Sequence, residues 1–325
     1  MVPDAPLVAR FAGDLDRLIK PGQRLGLAVS GGPDSLALLL LASAARPGLV
    51  EAATVDHDLR PESRAEAKFV AEICAGLGVP HQILTMAWAE RPASAIQEQA
   101  RAARYRLIAG WLRERGLEAV CTGHHRDDQA ETLLMRLARG SGVRGLAGMR
   151  ASAPLPGARD LKLIRPLLNW GRDELVVICD GEGLTPVADP SNADEDFERV
   201  RIRKLLASEG WLGSEALARS ARALGSADEA IDWAVEREWS AAVETIGDTM
   251  VYQPGTAPAE IRRRILVRIV SSLATEGTET LRGREVDQLL ENLESGGTST
   301  LRGVIGRGGS TWRFEPAPPR SSSCG

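Results

Sequence analysis

Short apolar runs alternate with amphipathic stretches through the first half of the chain. Leu25–Val29, Val50–Val55, Gln82–Met86 and Glu118–Thr122 read as strands. They are short apolar or β-branched runs, as expected of strands covered on both faces. Between them Ser35–Ala45, Pro61–Gly76, residues 93–115 and Asp127–Arg139 carry helical spacing. Strands separated by helical crossovers predict an α/β fold with a doubly wound parallel sheet. Ligands of such sheets sit at the carboxyl ends of the strands. Three polar clusters fall at such ends: Ser30–Ser35, Asp56-His57-Asp58 and Gly123-His124-His125. The pattern therefore predicts one crevice lined by all three.

Beyond Gly140 the pattern loosens into Gly140-Ser-Gly-Val-Arg-Gly145, which follows a helix rather than a strand and reads as a mobile glycine loop beside the site. Arg165-Pro-Leu-Leu168 begins another αβ piece with a helix near Arg172–Glu182, and a basic helix contains Arg199-Val-Arg-Ile-Arg-Lys204. A long helix over about Ser214–Val243 follows, whose Trp233 and Trp239 are expected to pack. Gly247–Pro258 reads as a linker, Ala259–Ser272 and Arg284–Leu293 as helices, Gly297–Phe314 as a small hairpin, and Arg320–Gly325 as a disordered tail. These features divide the chain into a catalytic domain over 1–212, a helical linker over 213–246 and a small C-terminal α/β domain over 247–325.

Composition narrows the picture. At 325 residues, 43% hydrophobic and 26% charged, the chain is globular and long enough for two domains. A net charge of −4 gives no global sign of a nucleic-acid partner, so any RNA contact must come from local basic patches. Cys74, Cys121, Cys179 and Cys324 are scattered with no Cys-x-x-Cys pair, which argues against a disulfide framework, a zinc knuckle and a cysteine-held iron–sulfur cluster. Asp4 near the start, and an apolar stretch at Leu36–Ala45 half the length of a membrane span, predict a soluble cytoplasmic protein with no membrane partner.

The candidate chemistry begins at Ser30-Gly31-Gly32-Pro33-Asp34-Ser35. A strand, a glycine turn and a helix start make a phosphate cradle. Glycines let backbone N–H groups approach an anion, the serines add donors, and the helix dipole favours negative charge. No Gly-Lys-Ser/Thr follows, so this is not a Walker loop. In Thr122–Thr132, Asp128 and Glu131 stand at i and i+3 on one helix face after two consecutive histidines, a pair able to grip an ammonium group or Mg²⁺. Acidic residues in a first turn also stabilise a helix dipole without any ligand. Arg101 and Tyr105 share one helix face, and Arg101 could neutralise phosphate charge.

These stretches occur in the order seen in bacterial tRNA(Ile)-lysidine synthetases, which belong to the N-type ATP pyrophosphatases, or PP-loop superfamily. The chain resembles that family over about residues 20–210, through Ser30–Ser35, Val55–Arg60 with Glu62-Ser63, Arg101–Tyr105, Thr122–Thr132, Gly140–Gly148, Arg165–Leu168, and Asp189–Asn192 with Arg199–Arg203. The resemblance implies a ligase that uses ATP and Mg²⁺ to adenylate the C2 carbonyl of the wobble cytidine in a tRNA(Ile) bearing a CAU anticodon. Free L-lysine then expels AMP. Carried over by position, Ser30, Gly31, Gly32, Pro33, Asp34 and Ser35 hold the phosphates and metal, with Asp34 the metal ligand. His57, Arg101 and Gly123 surround the nucleotide. Asp128 and Glu131 hold the lysine, with Arg203 close by. Asp128, Glu131 or His125 takes its proton as attack begins. Family members suggest a homodimer.

Val200 departs from the asparagine usual in the family's basic helix. Arg262-Arg263-Arg264 and Arg268 are expected to contact the tRNA body, the alternative being pairing with Glu260 and other acids inside the domain. A tRNA-thiolating relative and a nucleotide-binding sensor are competing readings. The first commonly needs paired cysteines, and the second needs neither Asp128 nor Glu131.

Overall fold

The computed structural model describes residues 2–56, 63–86, 96–187, 198–274, 281 and 283–318, with side chains at 96–98 excepted. It divides into two compact units, Met1–Gly225 and Ser226–Gly325.

The first unit runs α1 (Ala5–Asp16), β1 (Leu25–Ala28), α2 (Pro33–Ala45), β2 (Val50–Asp56), α3 (Ser63–Gly76), β3 (His81–Thr85), α4 (Ile96–Arg115), β4 (Ala119–Cys121), α5 (Arg126–Ala138), α6 (Val143–Leu146), β5 (Ser152–Leu155), β6 (Ala158–Ile164), α7 (Arg172–Gly181) and α8 (Glu198–Ser208). It ends within α9 (Ser214–Ala242). Strand order is β3-β2-β1-β4-β6-β5, parallel throughout except for the edge strand β5. Chain order reverses between β1 and β4, so the switch point of the sheet falls there.

Helices cover both faces. Leu25, Leu27, Ala119 and Cys121 point into a core shared with Phe11, Leu36–Leu41, Ile73 and Leu175. Val120 points the other way, among Tyr105, Ile108, Trp111 and Leu112 of α4. Gly26 admits α4 to the sheet, because a Cβ there would meet the Trp111 ring at 2.7 Å and Leu112 at 2.8 Å. Helix α2 is buried all round, with Leu36 to Leu41 at 0% exposure, which explains its near-continuous apolar sequence.

Two expectations change in this unit. Helix α1 and the β5–β6 hairpin were not legible, and Arg165–Leu168 follows a strand instead of opening a new unit. The glycine loop expected to be mobile is tied to α5. Gln129 donates to Met149 O at 2.8 Å and accepts its N–H at 2.7 Å, while Arg136 Nη1 donates to the carbonyls of Gly145 and Gly148.

The second unit takes the rest of α9, then β7 (Val243–Ile246), β8 (Thr249–Tyr252), α10 (Ala259–Leu273), α11 (Gly283–Glu294), β9 (Thr298–Leu301), β10 (Val304–Arg307) and β11 (Trp312–Pro316). Its sheet is antiparallel in the order β7-β8-β11-β10-β9. Ile265, Leu266, Ile269, Leu289 and Leu293 pack with Tyr252, Trp312 and Phe314. The expected linker at Gly247–Pro258 thus contains a strand, and the expected hairpin is three strands of five. Trp239 packs under Arg268, whose guanidinium lies 4.1 Å from the ring. Trp233 does not pack as expected, since it is 64% exposed. The tail from residue 319 lies outside the described residues. No described helix is long and apolar enough to cross a membrane.

Candidate functional site

The turn after β1 is built by its own side chains. Ser35 Oγ donates to Gly32 O at 3.0 Å and accepts the Ser30 N–H at 3.1 Å, with Ser30 Oγ 3.2 Å away. Gly31 takes φ +88°, a conformation that L side chains rarely adopt. Helix α2 starts with Pro33 and has no side-chain cap. Its first amides and dipole are left facing the crevice, as an anion site requires.

The β4–α5 turn lies directly against this cradle. A Cβ on Gly123 would meet Asp34 C and O at 2.8 Å and Ser35 N at 3.0 Å. Only a glycine permits that backbone approach, and it brings two chain segments 88 residues apart into one site. Just beyond, buried His125 places Nε2 3.4 Å from Asp34 Oδ2 and 3.6 Å from Asp128 Oδ2, with Nδ1 3.5 Å from Asp127 Oδ2. Burial opposes a charge on this ring, but hydrogen bonds to Asp127 and Asp34 and the charge of Asp128 outweigh it, raising the pKa to about 10. The neutral ring can instead accept the Asp127 amide at Nδ1, 3.2 Å away. Three surrounding carboxylates favour the charged form. Burial pushes neighbouring His124 down to about 4; the charge of Asp128 opposes this, and those of Arg165, Arg199 and Arg101 add to it.

Asp128 and Glu131 are 8% and 2% exposed on the same face of α5. Asp128 accepts the His125 backbone N–H at 3.1 Å, so the dipole-stabilising role of a first-turn acid is present as well. Arg203 of α8 donates from Nε to Glu131 Oε1 at 2.5 Å and stands 3.9 Å from Asp128. Burial raises the Glu131 pKa despite this arginine. Val200 is the buried residue of α8, so an apolar side chain suits that position. Arg101 lies with its guanidinium 5.1 Å from the Tyr105 ring. His57, Glu62 and Asp189–Asn192 lie outside the described residues.

The structure therefore brings together Ser30, Gly31, Gly32, Pro33, Asp34, Ser35, Gly123, His125, Asp128, Glu131 and Arg203. Arg165 escaped the residue-by-residue reading, although its motif was visible. A cavity of about 590 Å³ beside Lys20, Gln23, Glu118 and Lys162 sits at the opposite, amino-terminal end of the strands and holds none of these groups.

A family model for the PP-loop domain matches residues 7–209. The chain is 47% identical to the tRNA(Ile)-lysidine synthase of Novosphingobium aromaticivorans, over 97% of this chain and 95% of that protein. It is 43% identical to the enzyme of the same name from Zymomonas mobilis, over 92% and 90%. The chain belongs to the tRNA(Ile)-lysidine synthase family of PP-loop proteins. Among solved structures, the U34-tRNA thiolase NcsA of Methanococcus maripaludis with its [4Fe-4S] cluster aligns at TM-score 0.55 and 15% identity, covering 67% of this chain and 79% of that one, a likeness of fold alone. This lysidine synthase family member has buried thiols: Cys74, Cys121 and Cys179 are free, and burial pushes each up to about 12. Such thiols are poor nucleophiles for sulfur transfer.

Proposed function

We propose that this chain ligates free L-lysine to C2 of the wobble cytidine in tRNA(Ile) with a CAU anticodon, using ATP and releasing pyrophosphate and AMP. The observation that carries this reading is the contact at Gly123, which sets the phosphate cradle and the Asp128–Glu131 carboxylates in one crevice.

The C2 oxygen of cytidine is a poor leaving group. Its attack on the α-phosphate of ATP makes an O–P bond, expels pyrophosphate and turns that oxygen into part of AMP. The turn Ser30–Ser35 holds the triphosphate through backbone donors, each preorganised donor being worth about 3–4 kcal/mol in a transition state. Asp34 fits a divalent cation: its Oδ1 is buried with no hydrogen-bond partner beside the cradle. Magnesium takes one or two carboxylates plus phosphate oxygens and water, so the lack of a three-residue metal cluster among the described residues is no obstacle. Mg²⁺ would neutralise charge on the departing pyrophosphate.

The second step makes the lysine Nζ–C2 bond, breaks C2–O and releases AMP. A lysine ammonium must first lose a proton, at a cost of about 4–5 kcal/mol at neutral pH. Asp128 and Glu131 hold that ammonium in the proposed complex. Glu131 is the acceptor the geometry favours, because the His125 nitrogens already face Asp34, Asp127 and Asp128. His125 serves as the cation that lets these acids sit together. The family likeness suggests a homodimer.

Sustained pyrophosphate release that requires both tRNA(Ile) and lysine, with a tRNA product heavier by one lysine less one water, tests the reading. Continued release without lysine, beyond the one pyrophosphate per tRNA of the adenylation step, or a product carrying sulfur, would count against it.

A further inference from the structure

The guanidinium of Arg165 is buried without an acidic partner among the described residues. It is 8% exposed, its Nε is buried with no hydrogen-bond partner, and its one hydrogen bond runs from Nη1 to Arg150 O at 2.6 Å. No carboxylate pairs with it among the described residues. Burial accordingly lowers its pKa. Elsewhere at the site, Arg203 has Glu131 and Arg136 has two carbonyls. A buried cation left uncompensated is costly, and folded chains retain one where an anion arrives from outside.

Its place in the sheet says which side of the crevice it serves. Arg165 follows the last residue of β6, next to β4, whose exit carries His124. The Thr122 N–H donates to Ile164 O at 3.0 Å, locking the two exits together. With strands about 4.8 Å apart, β6 stands about 10 Å beyond β1 and its phosphate turn. Arg165 therefore leaves the sheet two strands away from the phosphate turn that follows β1. It is not alone there, since Arg101 and Arg199 act on the same His124 ring, with Asp128 opposing them. Arg101 is exposed on α4 and Arg199 on α8, so the seat has a deep cation and two at its rim.

We propose that Arg165, flanked by Arg101 and Arg199, is a seat for one phosphodiester of the tRNA strand next to the cytidine that is modified. The inference rests on the reading given under Proposed function. Three positive charges exceed what a single lysine carboxylate needs, whereas an RNA strand presents a phosphate at every nucleotide. A base drawn out of its stack brings its own backbone phosphate toward the protein. Arg165 is then the group that takes that phosphate at depth, in the bidentate manner of a guanidinium fork.

Binding of fluorescent tRNA(Ile) to the nucleotide-free full chain, measured over a range of salt concentrations, tests the seat. Arg165→Met should weaken binding about ten-fold and make the salt dependence shallower by about one ion. KM for ATP and for lysine should stay unchanged, and the melting temperature should not fall, because an unpaired buried charge has been removed. Arg165→Lys keeps the charge and loses the fork. It should retain the salt slope with a smaller loss of affinity, and it serves as the readout if the Met variant does not fold. Unchanged affinity and slope overturn the proposal. So does a rise confined to the lysine KM, which assigns the seat to a carboxylate, or one confined to the ATP KM, which assigns it to the nucleotide. Should wild type show an Arg165-dependent slope yet incorporate no lysine, the reaction assignment fails and the seat stands.

Discussion

Arg203 closes on Glu131 from another helix, its Nε 2.5 Å from Oε1, and occupies the charge site proposed for the substrate ammonium. Without ligand, the arginine compensates a buried carboxylate. Lysine binding must share or displace it. Arg203→Met should therefore destabilise the nucleotide-free protein by about 2–3 kcal/mol, less than the full cost of orphaning a buried charge because Arg203 is itself partly exposed. Added L-lysine should restore more stability to the variant than to wild type, and L-norleucine, which lacks the side-chain ammonium, should not. Equal lysine-induced shifts in melting temperature would separate Glu131 from lysine binding.

Gly123 makes a second, sharper prediction. The atoms its missing Cβ leaves room for are all backbone, Asp34 C and O and Ser35 N. None can swing aside like the end of a flexible side chain. Gly123→Ala should push the phosphate turn away from the β4–α5 turn and weaken ATP binding at least ten-fold, about 1.4 kcal/mol or more, with far-UV circular dichroism unchanged. Gly110→Ala, where nothing lies within 4 Å, is the control and should bind ATP normally. Calorimetric titration with ATP distinguishes the two.

The sheet and its phosphate turn were legible because strands buried on both faces leave continuous apolar runs, and Ser30–Ser35 interrupts one at a strand exit. The edge hairpin was not. Arg159, Asp160 and Lys162 point outward from β6, and Pro154 sits in β5, so both strands read as loop. Strand β8 is four residues set between Gly247 and Pro254, and its partners come from β7 and, 60 residues on, β11. At the site, the pairing of Asp128 with Glu131 was visible as a helical spacing. The nearness of Arg203 came only from the family resemblance and from no spacing, because the clamp joins residues 72 apart through the packing of α8 on α5.

His124 gives a pH dependence of defined sign. Its folded pKa lies near 4, below the ordinary 6.5, because of burial and the facing charges of Arg165, Arg199 and Arg101 against Asp128. The unfolded chain then binds the extra proton between pH 6.5 and 4. The stability contributed by the neutral ring is complete above pH 6.5 and is lost as pH falls through that window, at up to about 1.4 kcal/mol per pH unit. Urea midpoints of the nucleotide-free protein should fall with acidification across pH 6.5 to 4.5. His124→Asn should flatten that part of the curve, and a variant with the wild-type slope would assign the acid sensitivity to other groups.

The arginines of the second unit yield the last prediction. Of the two readings offered for them, pairing inside the domain is present: Arg262, Arg263 and Arg268 pair with Glu294, Asp287 and Glu236. Arg264 is 6% exposed and holds Asp228, Asp232 and Glu260 together, which drives its pKa upward against the cost of burial. Asp228 is itself 3% exposed, so removing the guanidinium takes an ion-pair partner from a buried carboxylate. Arg264→Met should destabilise the second unit by about 3–5 kcal/mol. The paired variant Arg264→Met with Asp228→Leu should recover much of that loss, since an apolar pair of similar volume needs no compensation. Exposed charge pairs such as Arg268–Glu236 contribute about 0–1 kcal/mol, so Arg268→Met should leave the melting temperature nearly unchanged. If Arg264→Met instead kept its stability while its tRNA affinity fell steeply, the arginine would belong to the RNA and not to its three acids.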